Sequence, residues 1–325
     1  MPLFYPRRRP RITSPWDPPS QFDLFLISPL KYIAQQLYVL LLFLRGPPRR
    51  ISPSHKPIRI VCISDTHNRT IPVPDGHLLI HAGDLSDHGS VAEIQAQIDW
   101  LKGLPHAQKV VIAGNHDSYF DESTRKQDDK DKELNWGSIH YLQHSSVSLN
   151  FPTHDSRRLN IYGAPHIPNC GGSSFAFQYM RGDDAWSNTI PDETDVLVTH
   201  TPPKYHLDLP AALGCQWLLK EVWRVRPTVH VCGHIHAGRG QQSIFWDEGQ
   251  RAYERICARR QPSMFGDFFS PSLWIDAFKV LYYGIVGLLW SRIWGGSDFG
   301  GHLVNAAAMN QSTGQPNHEV IVVEV

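Results

Sequence analysis

The sequence predicts an α/β layered fold, and three observations lead to that prediction. Short β-branched runs recur from Ile58 onward, each run ends in polar residues, and helical patterns separate several of the runs. Continuous apolar runs of this kind indicate strands that are buried on both faces, as in parallel sheets. The chain has 325 residues, of which 41% are hydrophobic and 19% charged, so it can build a sizeable core.

The predicted elements follow one another along the chain. Helical periodicity covers residues 91–101 and 213–225, and both segments lie between strands, as expected for a layered α/β domain. The strand-like runs occupy residues 58–64, 77–83, 109–114, 159–165, 195–200, 227–233, 302–309 and 318–325.

The N-terminal region differs from the rest of the chain. Residues 1–57 are basic and rich in proline and contain an apolar helix over 24–44, whereas residues 58–325 form the α/β domain, with an apolar insert at about 262–300. Residues 1–59 hold ten lysines and arginines but two acidic residues, although the whole chain is neutral. A neutral chain is not expected to carry an extended nucleic-acid patch.

The first apolar segment, residues 24–44, has three interpretations. It is a membrane anchor, a helix lying in the membrane interface, or a helix packed on the body of the protein. Pro29 and Lys31 interrupt it, and basic residues flank both of its ends, so charge does not orient it.

The second apolar segment, residues 273–294, places Trp274, Phe278 and Tyr282 on one helix face. It is either a core-packed helix or an interfacial helix, because its uncharged run over 280–290 is too short to span a bilayer. We therefore expect a membrane surface as a partner through both segments and a cytoplasmic-facing, membrane-associated location. Five widely spaced cysteines without a CxxC pair favour a reducing compartment.

Polar residues follow five of the predicted strands. In chain order they are Asp65-Thr66-His67, Gly83-Asp84 with Asp87 beyond it, Gly114-Asn115-His116-Asp117, His200, and Gly233-His234-Ile235-His236. Ligands of open α/β sheets bind at the carboxyl ends of the strands. These five strand ends therefore bring carboxylate, imidazole and amide groups toward one edge.

Carboxylate and imidazole together suit first-row divalent ions, and no thiolate calls for a softer metal. Two ions about 3.5–4 Å apart need a shared oxygen ligand, which a carboxylate can provide. The number of candidate ligands fits two metals that share Asp84. One metal is assigned Asp65, His67, Asp84 and His236, and the other Asp84, Asn115, His200 and His234.

These motifs, in this order, resemble the complete signature of the calcineurin-like metallophosphoesterases over residues 58–242 and the last two strands. The segments YGAP (162–165) and THTPP (199–203) also resemble a small stand-alone subgroup with cyclic-nucleotide phosphodiesterase activity. The resemblance implies a four-layer α/β/β/α sandwich. It also implies two divalent ions, Mn, Fe or Zn, bound by the residues assigned above.

The expected activity is hydrolysis of a phosphate ester, with a phosphodiester or a nucleotide favoured. Two cations lower the pKa of a bridging water, which supplies hydroxide to attack phosphorus. His116 is not needed as a ligand and is expected to protonate the leaving oxygen or hold a phosphoryl oxygen, with Asp117 or another carboxylate orienting its ring. Asp84 is expected to be catalytic because it couples both metals.

Several assignments stay open. Arg69 and His166 are candidate substrate contacts, but a surface charge and a loop histidine are the simpler interpretations. Asp87 is expected to support the site from outside the ligand set. The alternative functions are a phosphoprotein phosphatase and a membrane-attached metal-binding scaffold with little turnover.

Overall fold

The structure, a computed structural model, describes residues 19–48, 56–259, 263–296, 299–309 and 319–325. Of the basic, proline-rich region predicted at 1–57, residues 1–18 and 49–55 lie outside the described residues.

The strands are numbered β1 to β13 along the chain, and several run over four or more residues. They are β1 (Arg59–Ile63), β2 (Leu78–Ala82), β3 (Gln108–Ile112), β4 (His140–Tyr141), β5 (Ser145–Phe151), β6 (Arg157–Ala164), β7 (Ile167–Pro168), β8 (Gln178–Tyr179), β9 (Val196–Thr199), β10 (Val229–Cys232), β11 (Gly240–Phe245), β12 (Gly300–Asn305) and β13 (Ile321–Glu324).

The helices are numbered in the same way. They are α1 (Gln21–Ile27), α2 (Pro29–Arg45), α3 (Val91–Lys102), α4 (Gln216–Val225), α5 (Glu248–Cys257), α6 (Met264–Phe268) and α7 (Pro271–Arg292).

The chain folds into two compact units. The two-sheet unit comprises Pro47–Asp208, Gly214–Trp246 and Gly296–Val325. The helical unit comprises Met1–Gly46, Leu209–Leu213 and Asp247–Gly295. The sequence had assigned the N-terminal region and the apolar insert to different domains, whereas the structure groups helices from both in one unit.

The two-sheet unit contains a five-stranded sheet in the order β13-β1-β2-β3-β4 and a six-stranded sheet in the order β11-β12-β10-β9-β6-β5. Strands β1, β2, β3 and β4 are parallel in the first sheet, with β4 at its edge, and β12, β10, β9 and β6 are parallel in the second. Strands β13, β11 and β5 are antiparallel to their neighbours and lie at sheet edges. The parallel strands therefore end at a common edge of each sheet.

Apolar layers hold this unit together. Side chains of the two sheets, such as Ile60 and Ile80 from one and Ile161 and Val198 from the other, meet in a shared buried core. Helix α3 covers the outer face of the first sheet, and α4 covers that of the second. The order helix, sheet, sheet, helix confirms the four-layer α/β/β/α sandwich.

Five strands escaped prediction: β4, β7 and β8 have only two residues each, and β5 and β11 lie at sheet edges. Strands β5 (SSVSLNF) and β11 (GQQSIF) bury only part of their residues and are rich in serine and glutamine, so they lack a continuous apolar run. The two predicted helices of this unit are present: α3 begins at Val91 as expected, and α4 begins at Gln216, three residues later than expected.

In the helical unit, the helix predicted over 24–44 is divided into α1 and α2. The division falls at Ser28, whose side chain accepts a hydrogen bond from Lys31 N at 3.4 Å, and Pro29 begins α2. Proline is favoured at the first helical position, where its missing N–H has no intrahelical partner. Helix α2 buries Ala34, Tyr38 and Leu41 against α5 and α7.

Helix α7 is longer than its uncharged run suggested. It has 22 residues and is long and apolar enough to cross a membrane, although Asp276 and Lys279 lie within it. Only 17% of its most apolar stretch is buried, which is unlike the core helix of a soluble protein.

Candidate metal centre

The polar side chains predicted at the strand ends meet at one place in the two-sheet unit. Asp65 follows β1, Asp84 follows β2, Asn115 follows β3, His200 follows β9 and His234 follows β10. All five strands are inner strands of their sheets and are paired in parallel with a neighbour, so their carboxyl ends point the same way. The convergence is thus a direct consequence of the topology.

Asp65 is the centre of the first group. Its carboxylate is fully buried, its Oδ1 lies 3.2 Å from His236 Nε2, and it accepts hydrogen bonds from His234 N at 3.0 and 3.1 Å. The ring of His236 lies 5.4 Å from the ring of His67. Asp65, His67 and His236 each offer a ligand atom, and these atoms lie within 4.8 Å of one another.

Asp84 lies close to candidate ligands from more than one strand end. Its Oδ2 lies 3.3 Å from His200 Nε2 and 3.8 Å from His67 Nε2. Asn115 Oδ1 lies 3.0 Å from the same His200 nitrogen. Ligand atoms of Asp84, His200 and His234 form a second triplet within 4.8 Å, so Asp84 and His67 each lie near more than one set of partners.

A third triplet, His67, Asp84 and His116, meets the same distance limit. The structure therefore brings together all seven predicted ligands and also brings His116 within ligand distance. The sequence had kept His116 out of the ligand set, and the geometry alone does not separate the two roles.

Hydrogen bonds orient the imidazole rings for a cation. His200 Nδ1 lies 2.8 Å from the carbonyl oxygen of Ala82, to which it donates, so once a cation displaces the proton on Nε2, the Nε2 lone pair faces Asp84 and Asn115. Buried carboxylates beside imidazole nitrogens held in this tautomer are the donor set that first-row divalent ions prefer. The residues present therefore fit a divalent metal.

The electrostatics of the cluster favour positive charge. Burial lowers the pKa of His200, but the charge and hydrogen bond of Asp84, the charge of Asp65 and the hydrogen bond to Ala82 together outweigh burial and raise that pKa to about 9. Burial raises the pKa of Asp65, whereas the hydrogen bond and charge of His236 together lower it to about 2. His200 likewise holds the pKa of Asp84 well below its ordinary value despite burial. Both carboxylates are thus ionised near neutral pH and attract a cation.

His234 behaves differently, because burial lowers its pKa to about 3 and the charge of His200 acts in the same direction. Its imidazole is therefore neutral at physiological pH, and a neutral ring is the form that binds a metal. The cluster combines ionised oxygen ligands with a neutral nitrogen ligand.

The backbone around the ligands is strained. Asp65, His67, Asp84 and His234 all have positive φ, at 55°, 47°, 55° and 66°. Residues other than glycine rarely adopt this left-handed conformation, and it costs of order 1–3 kcal/mol where it occurs. The surrounding contacts must therefore hold these turns in place.

Close backbone packing explains one of the glycines. A Cβ at Gly83 would lie 2.6 Å from the Ala113 carbonyl oxygen and 2.6 Å from His200 Nδ1, and its φ of 97° is itself restricted to glycine-like residues. The turn after β2 can therefore approach the His200 ring only without a side chain.

His116 is held by the main chain. Its Nδ1 lies 2.8 Å from the carbonyl oxygen of Asp87, its backbone N donates to Asp84 Oδ1 at 2.8 Å, and its ring packs 4.8 Å from that of Phe175. The suggestion that Asp117 orients this ring was wrong, because the Asp117 carboxylate accepts hydrogen bonds from Leu85 N, Ser86 and Gly114 N instead. Asp117 ties together the turns that carry Asp84 and Asn115.

Asp87 supports the site in two ways. Its carbonyl binds His116, and its Oδ1 lies 3.4 Å from His67 Nδ1. Arg69, in contrast, is exposed, and the side-chain contact described for it is with Met309 Sδ at 3.8 Å, so no described contact ties it to the cluster.

His166 lies one layer away from the cluster. It contacts His144 and packs 5.8 Å from Phe177, and it lines a cavity of about 650 Å³. Ala176 N donates to Asn115 O at 2.9 Å, so the segment from Phe175, which packs on the His116 ring, to Phe177, which lines this cavity, is tied to the loop that carries Asn115.

Sequence reasoning missed this segment and the cavity beyond it. Phe120, Arg125, Gln143 and Gln178 also line the cavity. No motif marks these residues, because they come from loops of separate strands.

A second omission was Thr66, whose Oγ1 lies 3.0 Å from His81 Nε2 and donates to Gln97 Oε1 at 3.1 Å, linking the Asp65 turn to α3.

Comparison with known proteins places the chain in a family. Residues 58–238 match the family model described as calcineurin-like phosphoesterase. The chain is 39% identical over 203 residues to metallophosphoesterase domain-containing protein 1 of Homo sapiens, covering 56% of this chain and 61% of that protein. It is 33% identical over 213 residues to a UPF0046 protein of Caenorhabditis elegans, covering 61% of this chain and 69% of that protein.

A further relative extends the similarity to nearly the whole chain. The chain is 37% identical over 310 residues to a protein of Emericella nidulans named probable rhamnogalacturonate lyase C, covering 94% of this chain. The chain spans 28% of the length of that relative, as against 61% of the human protein. Together with the matched motifs, these similarities show that the chain belongs to the calcineurin-like phosphoesterase family, whose members are hydrolases that act on phosphoric ester bonds.

Proposed function

We propose that this chain is a binuclear metal-dependent phosphoesterase that hydrolyses a small phosphate ester. The observation that carries the proposal is the overlap of three carboxylate–imidazole triplets, in which Asp84 and His67 are shared. Shared ligands are what a pair of adjacent cations requires. The lyase activity in the name of the Emericella nidulans relative is not proposed here, because the chain covers 28% of that protein.

The ligands are assigned as follows. Asp65, His67, Asp84 and His236 hold one divalent ion, and Asp84, Asn115, His200 and His234 hold the other, with Mn, Fe or Zn suited to these donors. When bound, such ions supply Lewis acidity, which lowers the pKa of a coordinated water toward neutrality and offsets charge on the phosphoryl oxygens.

His116 donates a proton to the leaving-group oxygen. Its Nδ1 is occupied by the Asp87 carbonyl at 2.8 Å, so Nε2 is the nitrogen free to exchange a proton. The packing of Phe175 and His67 against the ring limits its rotation. A fixed ring keeps the proton aimed at one position.

A phosphodiester or nucleotide is the favoured substrate. Phe177 lines the cavity beside His166 and is two residues from Phe175, which packs on the His116 ring, and the cavity combines aromatic side chains with polar ones. A second substituent on phosphorus, such as a nucleoside, suits walls of this kind. His166 remains a proposed substrate contact, and so does Arg69.

Two alternatives differ in what they predict. A phosphoprotein phosphatase would hydrolyse monoesters and leave diesters intact. A metal-binding scaffold would hydrolyse neither, and it would have no need of the proton that His116 supplies.

The test is a panel of p-nitrophenyl phosphate, bis-p-nitrophenyl phosphate and cyclic nucleotides, assayed after chelation and after addition of Mn²⁺, Fe²⁺ or Zn²⁺. We expect metal-dependent turnover that is faster for a diester than for the monoester. Turnover of the monoester alone would favour the phosphatase. No turnover of any ester by metal-loaded protein would contradict the proposal as a whole.

We further propose that the chain works at a cytoplasmic-facing membrane surface, contacted through residues 24–44 and 273–294. The support is the exposure of large apolar side chains in both segments, including Phe43 and Phe278.

A further inference from the structure

The exposed apolar side chains are concentrated in one part of the molecule. Among the described residues, all the exposed large apolar side chains lie in the helical unit except Met180 and Phe299. Scattered apolar residues on a surface need no explanation, but a concentration of this kind marks an interaction surface.

Helix α7 shows how sharply its two faces differ. Leu273, Val280, Gly287 and Ser291 are buried along one face. The opposite face exposes apolar and aromatic side chains along the whole helix, namely Ile275, Phe278, Tyr282, Ile285, Val286 and, one residue past its end, Ile293. Lys279 lies beside this face and Arg292 is exposed near its end, so apart from two basic residues the face is apolar and water is a poor environment for it.

Helix α2 repeats this arrangement. Its buried side chains, Ala34, Tyr38 and Leu41, face α5 and α7, whereas Ile33, Leu40 and Phe43 lie on the other side and are exposed.

Helix α5 is the polar member of the group. It contacts both α2 and α7, and these two contact each other, so the three helices pack as a triangle. Arg255 on α5 bonds to Asp276 on α7 at 2.8 and 2.9 Å, and Arg45 on α2 bonds to Asp247, which precedes α5, at 2.9 Å. The polar helix thus occupies one corner, and the apolar faces belong to the other two.

This triangle decides between two ways of meeting a membrane. If α7 crossed the bilayer, the charged residues of α5 that pack along it would enter the hydrocarbon, which costs several kcal/mol for each unpaired charge. If α2 and α7 lie flat, their apolar faces enter the lipid while α5 stays in water.

The charges of the unit complement an anionic surface. Four of its acidic residues, Asp247, Glu248, Asp267 and Asp276, form ion pairs with arginines of the same unit, and the other described acidic residues, Asp23 and Glu254, bond to Ser20 and Gln250. Within the described residues, Lys279 and Arg292 on α7 have no carboxylate partner, and Lys279 lies beside Trp274, Phe278 and Tyr282. Tryptophan, tyrosine and lysine together are typical of the headgroup layer.

We propose that the helical unit docks on an anionic lipid bilayer, with α2 and α7 lying in the plane of the interface and α5 facing water. This specifies the membrane contact proposed above and does not depend on phosphoesterase activity. Residues 7–11, which contain four arginines, add positive charge to the N-terminal part of the sequence.

The first experiment measures sedimentation of the full chain with vesicles of phosphatidylcholine, with and without phosphatidylserine. We expect binding that phosphatidylserine strengthens by about tenfold or more. Phe43→Ser and Phe278→Ser should each weaken binding by about tenfold or more, because each removes a large apolar group from the lipid. The matched control is Met180→Ser, which removes an exposed apolar side chain from the two-sheet unit and should bind like the wild type.

These substitutions leave the folded cores intact, because the side chains are 80% exposed at Phe43, 65% at Phe278 and 68% at Met180. Hydrolysis of a soluble ester without vesicles is measured separately, so loss of binding and loss of activity are distinguishable. Chain that stays in the supernatant with both vesicles would overturn the proposal, and so would variants that bind like Met180→Ser. A wild-type dimer that Phe278→Ser converts to a monomer would assign the surface to a second copy instead.

The second experiment measures depth. Nitroxide labels at Ile275→Cys, Ile285→Cys and Ile293→Cys, with Cys170 and Cys257 replaced by serine, report immersion along α7. Flat docking predicts the same shallow depth at all three positions. A label at 285 that lies much deeper than the labels at 275 and 293 would show a spanning helix and overturn the in-plane arrangement.

Discussion

Folded proteins usually bury apolar side chains and expose polar ones, and the two units break this rule in opposite ways. The two-sheet unit buries carboxylates and imidazoles at the ends of its strands, whereas the helical unit exposes phenylalanine, tryptophan and isoleucine along its helices. Each arrangement costs free energy unless something compensates for it. A cation compensates in the first unit and, we propose, lipid in the second, so each departure indicates the chemistry of a ligand.

The largest expected effect comes from Asp84→Asn. Because its carboxylate lies in two ligand triplets, the substitution should lower kcat/KM by about 10⁴-fold and reduce the number of bound metal ions. Metal counting by mass spectrometry and initial rates provide the measurement. Asp99→Asn, on the exposed side of α3, is the matched control, and two retained ions in the Asp84 variant would contradict the shared role.

A somewhat smaller effect is expected from His116→Asn. Loss of the proton donor should lower kcat by about 10³-fold for an alkyl leaving group and by much less for p-nitrophenolate, which leaves without a proton. The metal content should stay unchanged. His88→Asn changes an exposed histidine of a nearby loop and serves as control. Equal losses for both leaving groups, or lost metal, would instead make His116 a ligand.

Asp208 tests what a buried carboxylate costs outside the metal-ligand cluster. Burial raises its pKa to about 6, even though Tyr205 N and Gly214 N donate to it at 2.9 and 3.0 Å. The folded chain therefore binds a proton that the unfolded chain has lost, so this group makes the free energy of unfolding fall as pH rises from about 4 to about 6. The loss is about 3 kcal/mol.

The measurement is denaturant unfolding of metal-free protein across this pH range. Asp208→Asn should flatten the fall, whereas Asp183→Asn at an exposed position should not. An unchanged pH slope in the Asp208 variant would show that the carboxylate is ionised at no cost.

The smallest effect concerns Tyr38 in the helical unit. Its hydroxyl is buried without a hydrogen-bond partner among the described residues, while its ring stacks on Tyr253 at 4.0 Å. Tyr38→Phe should therefore keep the stack and raise the free energy of unfolding by about 1 kcal/mol. Thermal unfolding measures the change, with Tyr32→Phe as control. A clearly destabilised variant would reveal a partner for the hydroxyl.

Much of the two-sheet unit could be predicted, because each strand and the candidate ligand that follows it are close together in the sequence. Each ligand candidate follows its strand within four residues, so finding the apolar run also finds the ligand. The edge strands β5 and β11 were missed because half-exposed strands need few apolar residues. The role of Asp117 was misassigned since sequence adjacency to His116 does not reveal side-chain direction.

The helical unit was harder to predict for a different reason. An apolar stripe on α2 or α7 shows that something covers one face, but the sequence does not say what. The partners are more than 200 residues apart, as in the bond from Lys31 Nζ to Cys257 O at 3.2 Å. The cavity beside His166 escaped for the same reason, since its walls come from several separate loops.

The pairing of α2 with α5 and α7 has a practical consequence for anyone trimming this chain. A truncation at the start of the α/β domain, which composition recommends as a boundary, would remove α2 and expose Ala252, Ile256 and Val280 to solvent. Such a product should aggregate during expression even with an intact metal centre. Shortened versions should instead either retain residue 21 onward or replace the segment 247–295 with a short loop.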